Sequence, residues 1–568
     1  MISRKRFLGI ASLSLLNAGT NFSYASSSGA WPVLNKWDTQ EFEKYSKWVN
    51  NVYELKSNGS LKQKGAKLGV IVADNEMNLL NNVDFLQDGN PQISKSEMDF
   101  LTAVSHCGSF PKLVFLYYSH RRALPAVVTK IKMKTGGDIR YSSGNHPVGF
   151  VDSVSFSGSF GDFILSSMEG EDGGYNFVSG NFRTAPNLEG TDSVPIALKR
   201  DFLKPGSMCY NANGHCLLVG KVDDSGEVHF LDSHPDHSVT FNQTLSAIAD
   251  LQFVSSVRFG AGGMDRCYDG MRNFRLAKLS SNGDRAVYFT NEEMIQFGIS
   301  VEQYKKMAEI KEKGKLEVNG EIISSYPGLV RASLRSGGRE SPVSFLEQSV
   351  KELASMFRER AQFVENAWND VISNGAIVLP NESDKENIYQ ADGRWEIWSS
   401  PSSDVDRKMK YHYTIERLEQ MLNEFGNDKI YDFSRFTSRQ ELARSLIERK
   451  KQLFEIEKIT YKNSQGREIS LNLLDIEKRL FYLSFDPNHS PELRWGAPEN
   501  SEEIKTMIRK STPLKTGQTL ECLESYKLEQ GIRYYPLRQS TPTSLDPEKN
   551  PKSPPFKLFD EVIGQYSK

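Results

Sequence analysis

The residues best suited to chemistry in this chain are Cys107, His215 and Asp232: a thiol, an imidazole and a carboxylate. A carboxylate that holds one ring nitrogen fixes the imidazole tautomer and stabilises its protonated form. The other nitrogen then draws a proton from the thiol, leaving a thiolate nucleophile. The stretch GHCLLVGKVDDSGEVHFLDSHPD, residues 214–236, supplies two of the three groups. Cys216 to Val222 is an apolar run, Asp223 to Gly226 are turn residues, and Glu227 to Leu231 alternates polar and apolar, a pattern that predicts a β-hairpin. Folding about that turn sets Asp232 opposite Leu217 and makes His215 and Asp232 diagonal neighbours on one face, about 7–8 Å apart between Cα atoms. A one-residue slip would send them to opposite faces. Simple closure of a hairpin end is the competing reading of the pair.

Cys107 lies in SHCGSFPKLVFLYYSHRRALPAVV, where Pro111 suits a first helical turn and Leu113, Leu116, Tyr117 and Leu124 form an apolar stripe. The cysteine is thus expected at or just before a helix N-terminus, where free N–H groups and the helix dipole favour thiolate and can stabilise an oxyanion. A buried, inert thiol is the alternative. Cys107, Cys209, Cys216, Cys267 and Cys522 make an odd count, which suits one free reactive thiol in an oxidising compartment. Cys209 and Cys216 are spaced to bridge across a turn, and both are rival nucleophiles.

The order Cys, His, Asp, with the cysteine opening a helix and the other two on adjacent strands, resembles the papain-like cysteine peptidase superfamily. The close of the helix on Arg121-Arg122-Ala123-Leu124-Pro125 is similar to the transglutaminase-like branch. The resemblance implies an α+β fold with a papain-like core, a Cys-bearing helix packed on an antiparallel sheet, and a Cys107–His215–Asp232 triad. Three further stretches, GRWEIWSSPSSD from Gly393, LSFDPNHSPELRWGAP from Leu483 and LDSHPD from Leu231, resemble large exported bacterial proteins, a similarity that imports no activity. Leu101 to His106 contain no Gln or Asn, so an oxyanion donor would come from elsewhere, with Asn75, Asn78 and Asn81 equal candidates.

A second constellation competes. Asp232-Ser233-His234-Pro235-Asp236-His237 holds four metal-ligand side chains in six residues and resembles the HxHxDH element of metallo-β-lactamase-fold hydrolases, with Asp232 in place of the first His. Such a site needs further downstream ligands, and only His412 and His489 follow, neither in a ligand-like setting. The expectation is therefore no metal and no cofactor. Phosphate loops of the Walker type, GxSxG and HExxH are all absent. WEIW at 395–398 and Arg494-Trp495 suit either a second core or a ligand groove, the core being the commoner fate of tryptophan.

The elements that must position these groups follow from pattern and composition. A chain of 568 residues with 38% hydrophobic and 25% charged content and a net charge of −2 has room for two or three globular domains and no basic run to attract nucleic acid or anionic membranes. Arg4-Lys5-Arg6, an apolar stretch from Phe7 to Leu16 and Ser23-Tyr24-Ala25 read as a signal peptide cleaved after Ala25, residues 1–25. The mature protein is expected to be exported, periplasmic or extracellular, with no integral membrane segment. Residues 26–290 are then the papain-like domain. The run from Thr135 to Thr191 within it is loop-rich. Residues 291–450 read as a helical region, with one long helix between Ser341-Pro342 and Asn374-Gly375, a second from about Val405 to Phe425 and a third near Thr437. Residues 451–568 mix strands with a short helix and end in a proline-rich arm, Pro542 to Pro555. The expected function is an exported amide hydrolase, peptidase or amidase, acting on protein or cell-wall (peptidoglycan) peptide. A transglutaminase or deamidase and a non-catalytic envelope binding or assembly protein are the alternatives.

Overall fold

The computed structural model describes residues 29–57, 67–73, 93–106, 108–132, 146–168, 191–210, 216–245, 270–379, 393–513, 519–530 and 557–568. The stretch read as a signal peptide, residues 1–25, and the proline-rich run Pro542 to Pro555 fall outside them, as do Cys107, His215 and Cys267. No helix among the described residues is long and apolar enough to cross a membrane. The fold is α+β with several small sheets. It divides into two units, one up to Gly337 and one from Gly338 onward. The division does not fall at 290/291, and position 450/451 lies inside a helix.

In the first unit, α1 (Thr39–Ser57) buries Phe42, Tyr45, Val49 and Val52, three or four residues apart, as one stripe of a helix. α2 (Lys95–Val104) begins on the Ser94 hydroxyl, which accepts the Glu97 N–H, and ends at Ser105. α3 (Phe110–Arg121) is buried at every residue from Phe110 to Ser119, so it runs through the core and not over the surface. Pro111 occupies its first turn, and the chain leaves it through Ala123, at φ 50°, into Pro125. β1 (Val127–Lys132) pairs with β2 (His146–Asp152), and α4 (Phe160–Met168) follows. The Thr135–Thr191 run, expected to be loop-rich, contains a strand and a helix among its described residues. The apolar side of α4 meets Trp31, with ring centroids 6.0 Å from Phe160 and 5.1 Å from Phe163, a partner remote in sequence.

The main sheet is antiparallel: β3 (Ser193–Pro195), β4 (Met208–Tyr210), β5 (Cys216–Val222), β6 (Val228–Ser233), β7 (Val239–Thr244) and β8 (Gly270–Phe274), in the order β3-β8-β4-β5-β6-β7. α1 and α3 both pack on β5. α5 (Glu302–Lys313) and α6 (Tyr326–Leu334) brace β8: the Gln303 side chain accepts from Met271 N at 3.1 Å and donates to Met271 O at 2.9 Å, and the Tyr326 hydroxyl accepts from Met271 N at 2.9 Å.

The second unit starts with α7 (Pro342–Asn374), capped by the Ser341 hydroxyl and ended at Gly375, where the sequence signals place it. α8 (Pro401–Asn423) and α9 (Arg439–Ile456) follow, then the hairpin β9 (Lys458–Lys462) and β10 (Glu468–Asn472), α10 (Leu473–Arg479), α11 (Pro491–Arg494), α12 (Cys522–Gln530) and α13 (Phe559–Ile563). Phe357, Leu418, Leu446, Ile459, Leu471 and Ile563 share one core. Residues on both sides of 450 therefore share one core within the second unit, while 291–337, expected to be part of the helical region, belongs to the first.

Candidate functional site

Asp232 sits near the end of β6 and is buried, 2% exposed. The β5–β6 hairpin turns at Asp223–Gly226: Gly226 takes φ 88°, Asp223 N–H donates to Glu227 O at 3.1 Å, and the Asp223 carboxylate accepts Glu227 N–H at 3.0 Å. The register pairs Leu218 with Leu231. Carried one pair further it sets Leu217 against Asp232, the register expected from the sequence. A bulge between Val219 and Lys221 absorbs the extra residue near the turn. On the other side Asp232 pairs with Thr240 of β7. His215 and Cys107 are outside the described residues, but their covalent neighbours are within them. Cys216, next after His215, opens β5 opposite Tyr210, and His106 and Gly108 flank Cys107.

The chain around Cys107 is a tight turn between α2 and α3. The Ser109 hydroxyl donates to Val104 O at 2.7 Å and accepts His106 N–H at 3.1 Å, and Phe110 N–H donates to His106 O at 3.0 Å. Two contacts fasten this turn to the end of β6. The Ser105 and Ser233 hydroxyls are 3.0 Å apart, and His237 Nδ1 is 2.8 Å from Ser105 O. β5 runs antiparallel to β6, so the start of β5, the end of β6 and the start of α3 share one end of the sheet.

The charges beneath this end are buried. Lys112, on the first turns of α3, forms an ion pair with Asp192, whose carboxylate also accepts Thr129 N–H at 2.8 Å and the Tyr288 hydroxyl. Burial pushes the Lys112 ammonium well below its ordinary value, and nearby Cys216 acts in the opposite sense. Burial, with the charge of His237 added, holds His106 down to about 4, so its ring is neutral. Cys209 and Cys216 are both buried. Cys209 pairs with Leu217 and Cys216 with Tyr210, which puts the two sulfurs on opposite faces of the sheet and corrects the expectation that they can bridge.

The polar run Asp232–His237 forms the end of β6 and the turn into β7. His234 Nε2 meets Thr240 Oγ1 at 3.1 Å, the Asp236 carboxylate accepts Ser238 N–H at 2.9 Å and its hydroxyl at 2.6 Å, and His237 faces Ser105 O. These side chains serve separate partners, and among the described residues no group of three or more His, Cys, Asp or Glu stands together as a metal-binding set.

Sequence reasoning missed a second constellation, in the second unit. His489, fully buried, has Nδ1 2.7 Å from Ser484 Oγ and 3.0 Å from Glu529 Oε2, and Nε2 2.7 Å from Ser525 Oγ. Glu529 also accepts Phe485 N–H and the Ser484 hydroxyl, both at 2.6 Å. Burial alone would lower the His489 pKa, but the charges of Asp486 and Glu529 outweigh it and the net shift is upward. A hydroxyl, an imidazole and a carboxylate in line suit a nucleophile only if the imidazole keeps a lone pair and the hydroxyl meets solvent. This imidazole is held toward its protonated form and Ser525 is 6% exposed, so the cluster acts as a tie between α12 and the loop ahead of α11. Beside it, Asp404 accepts from Arg360 Nε at 2.7 Å and Arg407 Nη1 at 3.1 Å. Burial, reinforced by the charge of Arg360, takes Arg494 down to about 9. The sequence carried no signal of this cluster: SFDPNHS is a run polar enough for a loop, yet the structure buries it throughout. Trp395 and Trp495 are buried in cores, which removes both from a surface groove.

No family model matches the chain, and no solved structure matches it.

Proposed function

We propose that the chain is an exported cysteine-dependent amide hydrolase, a peptidase or amidase with a papain-like core in its first unit. The observation that carries the reading is the pair of contacts fastening the turn around Cys107 to the end of β6, Ser105 to Ser233 and Ser105 to His237. They bring the N-terminus of α3 next to the strand end that holds the buried Asp232, and β5, which His215 precedes, starts at the same end of the sheet. Cys107 is the nucleophile in this reading, His215 the proton carrier and Asp232 the group that orients the imidazole. The thiol proton passes to the imidazole and the thiolate attacks the amide carbonyl. The leaving amine takes that proton, and water then hydrolyses the thioacyl intermediate. The N–H groups of Gly108, Ser109 and Phe110 are taken up by His106 and Pro111 has none, so in this reading the oxyanion donor comes from another segment. No cofactor takes part. The substrate class in this reading is protein or peptidoglycan peptide, and residues 1–25, read as a signal peptide, would carry the enzyme out of the cytoplasm, to the periplasm or beyond.

The test is mass spectrometry of the intact protein after brief treatment with an iodoacetamide-type probe. Hyperreactive labelling at Cys107 that becomes ordinary in His215→Ala and Asp232→Asn supports the enzyme. An ordinary Cys107 in the unmodified protein removes it and leaves a non-catalytic envelope binding or assembly protein. Incorporation of a primary amine into a glutamine peptide, without new peptide termini, would mark a transferase.

A further inference from the structure

We propose that His237 is a positioning residue for Cys107, clamping the turn that carries the thiol to the end of β6; the inference rests on the reading of Cys107 as nucleophile. His237 is one of three non-glycine residues among those described with positive φ, at 65°. That left-handed backbone costs a side-chain-bearing residue on the order of 1 kcal/mol, which Gly would avoid. The turn does not need the ring for its own shape: His234 N–H donates to Ser238 O and His237 N–H to His234 O, both at 2.8 Å, and Asp236 caps Ser238. What the ring does is reach across 132 residues of sequence to Ser105 O at 2.8 Å.

Ser105 is the C-cap of α2, and the last carbonyls of a helix have no partner within it and carry the negative end of its dipole. An N–H donor there satisfies such a carbonyl, so Nδ1 of His237 carries the proton and the tautomer is set. Ser233 Oγ adds a second tie to Ser105 from the same turn. Ser105 is bonded to His106, the residue before Cys107, so the His237 contact holds the chain two residues ahead of the thiol. A clamp of this kind acts on reactivity through distance, since a displacement near 1 Å can cost on the order of 100-fold in a positioned reaction.

The experiment compares the pH profile of Cys107 alkylation by iodoacetamide in the unmodified full-length protein, His237→Ala and His237→Asn. Asn tolerates the left-handed backbone and its amide can donate to Ser105 O, but it has no basic nitrogen. The expected result is a profile displaced toward that of an ordinary thiol in His237→Ala, with labelling at pH 6 slower by at least about tenfold, and recovery in His237→Asn. An unchanged profile in His237→Ala overturns the inference and leaves the hydrolase reading intact. A profile displaced equally in both variants overturns it as well, because the ring would then act as a base and not as a clamp. If Cys107 of the unmodified protein labels as an ordinary thiol, the hydrolase reading fails and the inference with it.

Discussion

Replacing Glu41 by alanine should loosen the helix that leads away from Cys107. Glu41 stands in the first turn of α1 at 5% exposure. Its carboxylate accepts the Tyr118 hydroxyl at 2.9 Å, Arg122 Nε at 2.8 Å and Arg122 Nη2 at 3.1 Å, so it ties α1 to the far end of α3. Without it, Arg122, at 6% exposure, loses both hydrogen bonds to this carboxylate, and the Tyr118 phenol loses the Glu41 acceptor. Breaking a buried ion pair from one side costs about 3–5 kcal/mol, a range that already overlaps the loss of the phenol hydrogen bond. A value of about 4 kcal/mol corresponds to roughly a thousandfold in a local opening equilibrium. Glu41→Gln keeps one acceptor and should lose about half as much. Hydrogen exchange read by mass spectrometry on peptides of α1 and α3 separates this unit from the other. The expected result is exchange roughly a thousandfold faster there in Glu41→Ala, with the second unit unchanged. The pH dependence supplies an independent check. Burial raises the Glu41 pKa, but Arg122 and Tyr118 outweigh it and the net shift is downward from 4.5. A lowered folded-state pKa means that the stabilisation is fully present above 4.5 and is lost as the pH falls through the folded value. The unmodified protein should lose protection in that acid window and Glu41→Gln should show a flatter response. Exchange in Glu41→Ala within about threefold of the unmodified protein would refute the reasoning.

Asp404→Ala, which leaves Arg360 and Arg407 buried without their shared carboxylate, should lower the melting temperature of the second unit by about 10 °C; a shift under about 3 °C in scanning calorimetry would count against it. His489 has a raised pKa set against Asp486 and Glu529, so its contribution is present below 6.5 and is lost as the pH rises through the folded value. Exchange in peptides spanning 483–495 should accelerate on the alkaline side in the unmodified protein and lose that dependence in His489→Gln. Gly226→Ala combines φ 88° with a Cβ only 2.1 Å from Arg331 O, whereas Gly466→Ala at φ 78° meets open space. The first should cost more than about 2 kcal/mol and the second about 1 kcal/mol, read from exchange in the two hairpins, and the reverse order would refute the clash.

Local chemistry made several elements legible from residue order alone. Ser341-Pro342 and Asn374-Gly375 bound α7 to the residue, because caps act on their own helix. Asp223–Gly226 gave β5 and β6 their turn and hence the Leu218–Leu231 register, because a hairpin register follows from its turn and the alternation of its strands. Pro111 and the Arg121–Pro125 exit bracketed α3, and Asp232 reached the strand end expected of it. The rest depends on groups that meet only after the chain has folded. β8 enters between β3 and β4, and nothing in Gly270–Phe274 specifies which strands flank it. The helix of the Thr135–Thr191 run is packed by Trp31, and the core that unites residues on either side of 450 is built from helices and strands far apart in sequence. His489, Ser525 and Glu529 belong to one hydrogen-bonded cluster, and His237 is tied to Ser105, although neither pairing leaves a periodic trace. Sequence determined the elements and the candidate chemistry, since propensity, capping and turn geometry act over a few residues; tertiary structure decided which polar groups share a low-dielectric interior, since burial and charge pairing depend on distance in space.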